Sequence, residues 1–346
     1  MTADARRTAD GRWLPLPRAV ILAAFFVLAA PAGAPADESG IEAESEVAAD
    51  HWSERLRRAA EAMEWSDELV RHEWRIQRRP GSDAARVLDP ADRVVLAGSA
   101  ADCREKFDSL AAAGKIPPVA GPTVILLHGL GEGRGSMRPL AAYLREHNNA
   151  TVLTFGYASP RAGVDDHARA FGSVIAGLKG ADRISLVGHS LGNIVVRRWM
   201  ADAPAADLDR IEKMVMLGAP NQGSDLARKV SQVWLLSKFS TGAARDLVLD
   251  WPRIARNLAV PPCPFGIIAG GTGDAAGYSP MLEGDDDSVV RVEETRLDGS
   301  DDFLLLPVRH AFMMRDPAVQ EATASFLKGG RFAAPAADPT AAAGER

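Results

Sequence analysis

The sequence predicts an α/β fold, in which a mostly parallel sheet carries helices on both faces. Two patterns lead to this prediction. Six short runs of the chain are mostly apolar, as in strands that are buried on both faces of a sheet. Segments with helical patterning lie between these runs, and this alternation is typical of a parallel sheet. With 346 residues, 47% of them apolar, the chain is long enough to fill such a core.

The six predicted strands all follow Pro122. They cover residues 124–127, 151–155, 184–187, 214–217, 265–269 and 303–308. The helices predicted between them cover 136–147, 164–179, 191–202 and 224–258. Parallel sheets place their chemistry in the loops after the carboxyl ends of the strands. We therefore expect functional residues directly after each apolar run.

Residues 51–118 precede this pattern and are predicted to form a helical N-terminal extension. Apolar residues recur at helical spacing over 52–72, which indicates an amphipathic helix, and 101–113 has a similar pattern. Turn-forming pairs separate the two segments: Pro80-Gly81 and Asp89-Pro90.

The N-terminal residues 1–36 have the pattern of a secretory signal peptide. Arginines precede an apolar run at 19–30, and the residues Ala34-Pro35-Ala36 fit a small-residue cleavage site. This run is shorter than the ~20 residues that usually span a bilayer. Export to the periplasm or the extracellular space is therefore expected, and an uncleaved N-terminal membrane anchor is the alternative.

Three further segments complete the predicted organisation. Residues 37–50 form an acidic linker, and the Ala/Pro-rich residues 332–346 form a disordered tail. The domain that contains the sheet covers 119–331. Within it, the apolar segment 225–258 is either a mobile lid over an apolar cleft or a set of core helices.

Charge and cysteine content exclude several classes of protein. A net charge of −6 argues against a nucleic-acid partner, because the phosphate backbone requires clustered Lys and Arg. Two cysteines are too few for a disulfide scaffold or a cysteine-rich metal site. Cys103 and Cys263 either form a disulfide after export or are both free.

The pentapeptide GHSLG at 188–192 lies between a predicted buried strand and a predicted helix. In this context Ser190 is expected at the tip of a sharp, strained turn with its hydroxyl exposed. Glycine is expected on either side, since larger side chains would collide there. Ser190 is thus the candidate nucleophile, and an ordinary glycine-rich turn is the alternative. His189 is interpreted as a packing residue that points away from the site.

The sequence HGLGEG at 128–133 follows the first predicted strand of the domain. Ester hydrolysis requires N–H donors for a developing oxyanion, and the backbones of Leu130 and Leu191 are the candidates. A phosphate-binding loop is the alternative, although the Lys-Ser/Thr pair of such loops is missing. His128 is expected to brace this loop.

A serine nucleophile needs a base and an acid that orients the base. In this architecture the acid and then the histidine follow the serine along the chain, and His310 is the single histidine after Ser190. Asp287 is the favoured acid because it precedes the apolar pair at 289–290. Asp285 and Asp286 are the alternatives, and the remaining aspartates would be solvated charges or a weak calcium site.

Five segments together resemble the α/β-hydrolase superfamily, and more narrowly its bacterial lipase/esterase branch. That branch is also similar to the lipase-like part of GPI-inositol deacylases. The segments are LLHGLGEGRGSM (126–137), VGHSLGN (187–193), LGAPNQGS (217–224), DDSVV (286–290) and the turn at His310. The resemblance covers roughly residues 120–330 and implies a triad of Ser190, Asp287 and His310. It also implies an oxyanion hole formed by Leu130 and Leu191.

Two positions in these segments need separate comment. Ser288 departs from the resemblance, because relatives commonly have glycine after the acid. The segment at 217–224 either lines the substrate pocket through Asn221 and Gln222 or forms a turn that starts the next helix.

The predicted function is that of an exported serine ester hydrolase, a carboxylesterase or lipase that works through an acyl-enzyme. The expected partner is a small-molecule or lipid ester, with transient contact to a membrane or lipid interface. No metal or organic cofactor is expected, and the oligomeric state is left open. An acyltransferase with the same triad and a catalytically silent binding protein on this scaffold are the alternatives.

Overall fold

Two sheets and the helices between them make up residues 60–231 and 242–333, which the computed structural model describes. The strands are β1 Ser66–Arg71, β2 Trp74–Arg78, β3 Ala84–Leu88, β4 Val94–Ser99, β5 Thr123–Leu127, β6 Thr151–Phe155, β7 Ile184–His189, β8 Ile211–Leu217, β9 Phe265–Gly270 and β10 Asp302–Leu306. The α-helices are α1 Ala100–Ala112, α2 Arg138–His147, α3 Val164–Gly177, α4 Leu191–Asp202, α5 Ala205–Leu208, α6 Asp225–Ser231, α7 Gly242–Leu249, α8 Trp251–Arg256, α9 Val292–Thr295 and α10 Pro317–Gly329. Two 3-10 helices cover Arg134–Met137 and His310–Arg315.

The larger sheet has the strand order β10-β9-β8-β7-β5-β6, and all neighbouring strands in it are parallel. All six predicted strands are present, so the predicted α/β fold is confirmed. The carboxyl ends of the strands lie at one edge, so the loops that follow β5, β7, β8, β9 and β10 are brought together there.

Both faces of this sheet are buried, as the apolar strands predicted. In β5, Ile125 and Leu127 belong to one apolar cluster, which also contains Phe171 of α3. Their neighbours Val124 and Leu126 belong to the cluster on the opposite face, together with residues of α2 and α10. This alternation follows from the two-residue period of a strand. It fixes the register of β5, because a slip of one residue would exchange the two faces.

The N-terminal extension differs from the prediction. The helix predicted over 52–72 is wrong for Ser66–Arg71, which forms β1 of a four-stranded antiparallel sheet with the order β1-β2-β3-β4. Helical spacing of apolar residues did not decide the structure, because pairing with β2 and burial of Asp67 favour an extended chain. Residues 52–59 lie outside the described part of the chain.

The other predictions for the extension are confirmed. The pairs Pro80-Gly81 and Asp89-Pro90 lie in the connections that follow β2 and β3. Helix α1 matches the predicted 101–113 and begins with a capping box, in which Ser99 and Asp102 exchange hydrogen bonds.

A buried ion pair attaches the extension to the end of β6. Arg75 Nη1 donates to Asp67 Oδ2 at 2.7 Å and to the Thr154 carbonyl at 2.9 Å, and both charged side chains are fully buried. Asp67 Oδ2 also accepts from the Gly156 amide at 2.7 Å, and its Oδ1 accepts from Gln77 at 2.8 Å. Both oxygens of the buried carboxylate therefore have protein donors, as burial of a charge requires. The extension is thus joined to the part of the chain that forms the larger sheet.

The segment predicted as a lid or as core helices forms α6, α7 and α8, and residues 232–241 lie outside the description. Ala243 of α7 and Ile254 of α8 are fully buried in the main apolar cluster. Asp246 also accepts from the Val164 amide at 2.7 Å, at the first turn of α3. These contacts favour the core-helix alternative for α7 and α8.

Both ends of the chain lie largely outside the described residues. The predicted signal peptide and linker, residues 1–50, lie outside the described residues, as does the tail from 334 onward. Phe332 was predicted to be in the disordered tail, but its ring packs against that of Phe326, with centroids 5.0 Å apart.

Cys103 and Cys263 are both free thiols. Over the part of the chain that is described, no helix is long and apolar enough to cross a membrane.

Candidate active site

Ser190 lies at a sharp turn between β7 and α4. Its backbone has φ +51° and ψ −120°, a conformation that non-glycine residues rarely adopt, and its amide donates to the Leu217 carbonyl at 2.9 Å. A Cβ atom on Gly188 would lie 2.3 Å from Asn193 Oδ1, and one on Gly192 would lie 2.6 Å from the Leu127 carbonyl. The predicted steric need for glycine on both sides of Ser190 is therefore confirmed. Strain of this kind is typical of functional sites.

His310 and Asp287 lie in hydrogen-bond contact. The Nδ1 atom of His310 is 2.6 Å from Asp287 Oδ2, and the His310 amide donates to the Asp287 carbonyl at 2.8 Å. The other carboxylate oxygen of Asp287 accepts from the amides of Val289 and Val290 at 3.0 and 2.7 Å. The carboxylate is fully buried and held on all sides. It can therefore fix the orientation of the imidazole.

The two neighbouring aspartates bind elsewhere. Asp285 accepts from the amides of Thr272 and Gly273, at 2.7 and 2.9 Å. Asp286 accepts from the Ser288 amide at 2.7 Å and from the Ser279 amide at 3.3 Å. Each carboxylate of the run therefore has its own protein donors, and the carboxylate that contacts His310 is that of Asp287. Within the described ranges, no group of three or more His, Cys, Asp or Glu residues is placed to hold a metal ion.

The carboxylate raises the pKa of His310. Burial alone would lower this pKa, but the negative charge of Asp287 and its hydrogen bond outweigh burial and raise the pKa above its ordinary value. The charged imidazolium is thus stabilised, as a general base requires once it has accepted a proton.

The residue directly before Ser190 contacts His310. The ring of His189, directly before Ser190, lies 4.6 Å from the ring of His310, measured between centroids. Among the described residues, no hydrogen bond joins Ser190 Oγ to His310, so the structure links the acid to the base but not the base to the hydroxyl. Nucleophile–base contacts are commonly long when no substrate is bound.

Gly218 follows β8 and was not singled out from the sequence. Its φ is +51°, and a Cβ atom there would lie 2.9 Å from His310 Nδ1 and 3.1 Å from Asp287 Oδ2. A side chain at this position would therefore collide with the hydrogen-bonded pair. The sequence offered one signal, since Gly218 lies within the segment at 217–224 that resembles lipases.

The rest of that segment forms a turn. Asn221 is buried and binds Arg197 Nη1 at 2.8 Å and the Thr295 carbonyl at 2.7 Å. Gln222 donates to the Arg296 carbonyl, and the Ser224 hydroxyl accepts from the amide of Ala227 in the first turn of α6. Of the two interpretations left open, the turn that ends the strand and starts the next helix is the one found.

The loop after β5 places the Leu130 amide beside the strand-to-helix turn at Ser190, which we call the elbow. A Cβ atom on Gly129 would lie 3.3 Å from Ser190 Cβ, so the loop lies directly against the serine. The Gly129 amide donates to Glu132 Oε2 at 3.0 Å, and the Gly131 amide donates to Ser159 Oγ at 3.0 Å. Between them, the Leu130 amide has no acceptor among the described residues, and the same holds for Leu191 at the start of α4. These are the two amides predicted for the oxyanion hole.

His128 braces this loop, as expected. Its Nδ1 lies 2.9 Å from the Gly129 carbonyl, and its Nε2 accepts from the Tyr157 amide at 3.2 Å. The two rings stack with centroids 4.1 Å apart, and burial lowers the pKa of His128. The imidazole is therefore neutral and structural.

Ser288 adopts φ +90°, and its buried hydroxyl has no hydrogen-bond partner among the described residues. A positive φ favours glycine, the residue that the resemblance implied for this position. The neighbouring Asp287 nevertheless contacts His310, so serine is tolerated here at the cost of backbone strain.

The interpretation of His189 needs correction. It is buried, but it does not point away from the site, since its ring lies against His310 and its Nδ1 is 3.4 Å from Glu132 Oε2. The sequence gives no function to Glu132. Its partner His189 is distant along the chain, so no local motif indicates that the two side chains meet.

Fold and site together define an α/β-hydrolase fold. A parallel sheet carries a serine at a strained strand-to-helix turn, then an aspartate after β9 and a histidine after β10, in that chain order.

Known structures with a similar chain path are lipases and esterases. The mature lipase BlEst2 of Bacillus licheniformis is 16% identical, with a TM-score of 0.48 over 62% of this chain and 96% of that chain. An esterase of Thermogutta terrifontis is 14% identical, with a TM-score of 0.42 over 62% and 92%. The phospholipase PlaB of Legionella pneumophila is 22% identical, with a TM-score of 0.38 over 51% and 45%. No family model and no curated protein sequence matches the chain. At these identities the likeness concerns the fold.

Proposed function

We propose that this protein is an exported serine hydrolase of carboxylic esters that works through an acyl-enzyme. One observation carries the proposal: the same edge of the sheet holds a strained serine after β7, a buried, hydrogen-bonded Asp287–His310 pair, and two amides that have no acceptor among the described residues. Each part has a use in acyl transfer, and a protein that only binds ligands has no need of all of them together.

In this mechanism His310 removes the proton of the Ser190 hydroxyl through Nε2 while the oxygen attacks the ester carbonyl carbon. The amides of Leu130 and Leu191 stabilise the oxyanion that develops, each by roughly 3 kcal/mol. His310 then protonates the departing alcohol, which leaves an acyl group on Ser190. Water, deprotonated by His310, attacks this ester and releases the carboxylic acid. Asp287 holds the ring and stabilises its charged form in both steps.

An apolar or lipid ester is the proposed substrate, and two exposed apolar side chains lie on the segments that carry His310 and Asp287. Phe312 is 43% exposed and lies two residues after His310, and Met281 is 45% exposed on the loop that leads to Asp287. Exposed apolar groups on catalytic loops suit transient contact with a lipid surface. The narrower likeness to GPI-inositol deacylases remains a prediction from the sequence.

A fluorophosphonate probe tests the nucleophile directly. We expect the probe to label the wild-type protein at Ser190, as mapped by peptide mass spectrometry. Ser190→Ala should lose labelling and lower turnover of p-nitrophenyl esters by several orders of magnitude. A binding protein on this scaffold would not be labelled, and this result would overturn the proposal.

A panel of acyl esters from acetyl to palmitoyl would define the substrate. It should be measured below and above the concentration at which each ester forms an interface. Addition of a primary alcohol separates hydrolysis from acyl transfer, because a transferase would form the new ester in preference to the free acid.

Export is tested by expression of the full chain in a bacterial host, followed by N-terminal sequencing of the mature protein. Cleavage after Ala36 and recovery outside the cytoplasm are expected from the signal-like residues 1–36. An intact N-terminus in the membrane fraction would instead indicate an anchor.

A further inference from the structure

A second acid–imidazole contact lies behind the proposed triad. Glu132 is nine-tenths buried, and its Oε2 accepts from the Gly129 amide at 3.0 Å and from Ser136 Oγ at 2.8 Å. The same oxygen lies 3.4 Å from Nδ1 of His189, which is almost fully buried. A buried carboxylate is costly unless it is paired, so its position beside a histidine and two donors is a specific arrangement.

The contact continues into the active site. The His189 ring lies 4.6 Å from the His310 ring, so Glu132, His189, His310 and Asp287 form a continuous row. Both ends of this row are buried carboxylates. His189 is also the residue directly before Ser190, which links the row to the nucleophile.

Glu132 also controls the loop that carries an oxyanion donor. It binds the Gly129 amide, while its own amide lies 3.4 Å from the Gly129 carbonyl. This reciprocal contact closes a tight turn around Leu130, and the Gly131 amide is fixed separately by Ser159. The contact between Glu132 and Gly129 therefore helps to fix the direction in which the Leu130 N–H points.

We propose that Glu132, with His189, is a positioning residue for the hydrolysis: its carboxylate fixes the loop that presents the Leu130 amide, and its negative charge acts on His310. This inference rests on the proposed function. Glu132 does not touch the substrate, and it is distinct from the acid of the triad.

The electrostatic surroundings agree with this role. The titratable groups that face His189 are Glu132, His310 and His128, and Tyr157 faces Glu132 from β6's end. Burial would raise the pKa of Glu132, but His189 and the donors on its oxygen hold the pKa below its usual value. The carboxylate is therefore charged at neutral pH. Its charge adds to that of Asp287 in raising the pKa of His310.

Two substitutions at Glu132 separate its two effects. Glu132→Gln keeps an oxygen that can accept from the Gly129 amide but removes the charge. It should move the acidic limb of the kcat/KM profile to lower pH, because His310 loses a stabilising charge. Glu132→Asp keeps the charge but shortens the side chain. It should lower kcat about 10- to 100-fold with KM little changed, which is less than the full loss of an oxyanion donor.

Ser136→Ala is the matched control, since it removes a hydrogen bond from the same carboxylate and leaves both the charge and the Gly129 contact. It should change kcat by no more than about twofold and leave the acidic limb of the pH profile in place. Thermal unfolding and titration of active sites with the fluorophosphonate would normalise each variant to folded enzyme.

The proposal is overturned if both Glu132 variants, folded and labelled by the probe, keep wild-type kcat and an unmoved acidic limb. Failure of the proposed function would look different, because the wild-type protein itself would then resist the probe and show no ester turnover.

Discussion

Two buried carboxylates, Asp67 in the four-stranded sheet and Asp287 at the candidate active site, each contact a side-chain nitrogen, at 2.7 and 2.6 Å. Both are fully buried. Their partners differ in kind, since Arg75 is permanently charged and His310 can lose its proton. Arg75 also donates to the Thr154 carbonyl and hydroxyl, whereas His310 makes its ring hydrogen bond through Nδ1 alone among the described residues.

The difference separates stabilisation from catalysis. Where both oxygens of a carboxylate accept hydrogen bonds from protein donors, as in Asp67, an ion pair holds two parts of the fold together. Where the base keeps a ring nitrogen without a partner among the described residues, as at His310, the same geometry can serve to move a proton. Burial and distance alone do not distinguish the two pairs.

The largest expected effect sharpens this contrast at the active site. Asp287→Asn should lower kcat for ester hydrolysis by roughly 10³- to 10⁴-fold, because the imidazole loses the carboxylate that orients and charges it. The acidic limb of the pH profile should also move to lower pH. The free energy of unfolding should change little, since the amide oxygen can still accept from Val289 and Val290. Asp285→Asn is the control, and an equal loss there would move the acid to Asp285.

The same substitution at the other carboxylate should have the opposite result. Asp67→Asn leaves the buried Arg75 with the partly exposed Glu73, at 3.3 Å, as its remaining counter-charge, which should lower the free energy of unfolding by about 3 kcal/mol. Chemical denaturation would measure this loss. Activity per folded molecule should be close to that of the wild type, and a selective loss of kcat would break the distinction between the two pairs.

Gly218→Ala tests how closely the site is packed. The new methyl group would contact His310 and Asp287, so kcat should fall about 10- to 100-fold, and the positive φ should cost roughly 1–2 kcal/mol of stability. Gly330→Ala has a comparable φ of +73° with nothing within 4 Å of the added atom. It should show the loss of stability, by thermal unfolding, without the loss of kcat.

The smallest effect is expected at Ser288, where glycine would relieve the strain of φ +90° and remove a buried hydroxyl without a partner. Because glycine also costs entropy on folding, Ser288→Gly should stabilise the protein by only about 1 kcal/mol. Differential scanning calorimetry would measure the change, and a lower melting temperature would contradict the argument from strain.

The parallel sheet could be predicted because local signals and tertiary burial agree there. In β6, Thr151–Phe155 is apolar and β-branched, and the predicted and observed bounds coincide. In the extension the two disagree. The segment Ser66–Arg71 has helical spacing, but its pairing with β2 and the burial of Asp67 against Arg75 depend on residues elsewhere in the chain.

In the candidate site, too, some residues are indicated by local sequence motifs and others are not. The elbow at Ser190 and the loop at Leu130 are local motifs, so the sequence indicated them. Asp287 was favoured from the sequence because an apolar pair follows it, but the separate partners of the three carboxylates became visible only in the structure. Gly218, Glu132 and His189 contact residues that are distant along the chain, and no spacing in the sequence reveals these contacts.

Ser159 gives a practical consequence for protein engineering. Its hydroxyl accepts from the Gly131 amide in the oxyanion loop, and its carbonyl accepts from the Ala243 amide at the start of α7. Grafting a foreign helical insertion in place of residues 242–256 would therefore disturb the backbone that presents Leu130, even if the graft never touched the substrate. Chimeras made to alter chain-length selectivity should keep the junction with Ser159 intact.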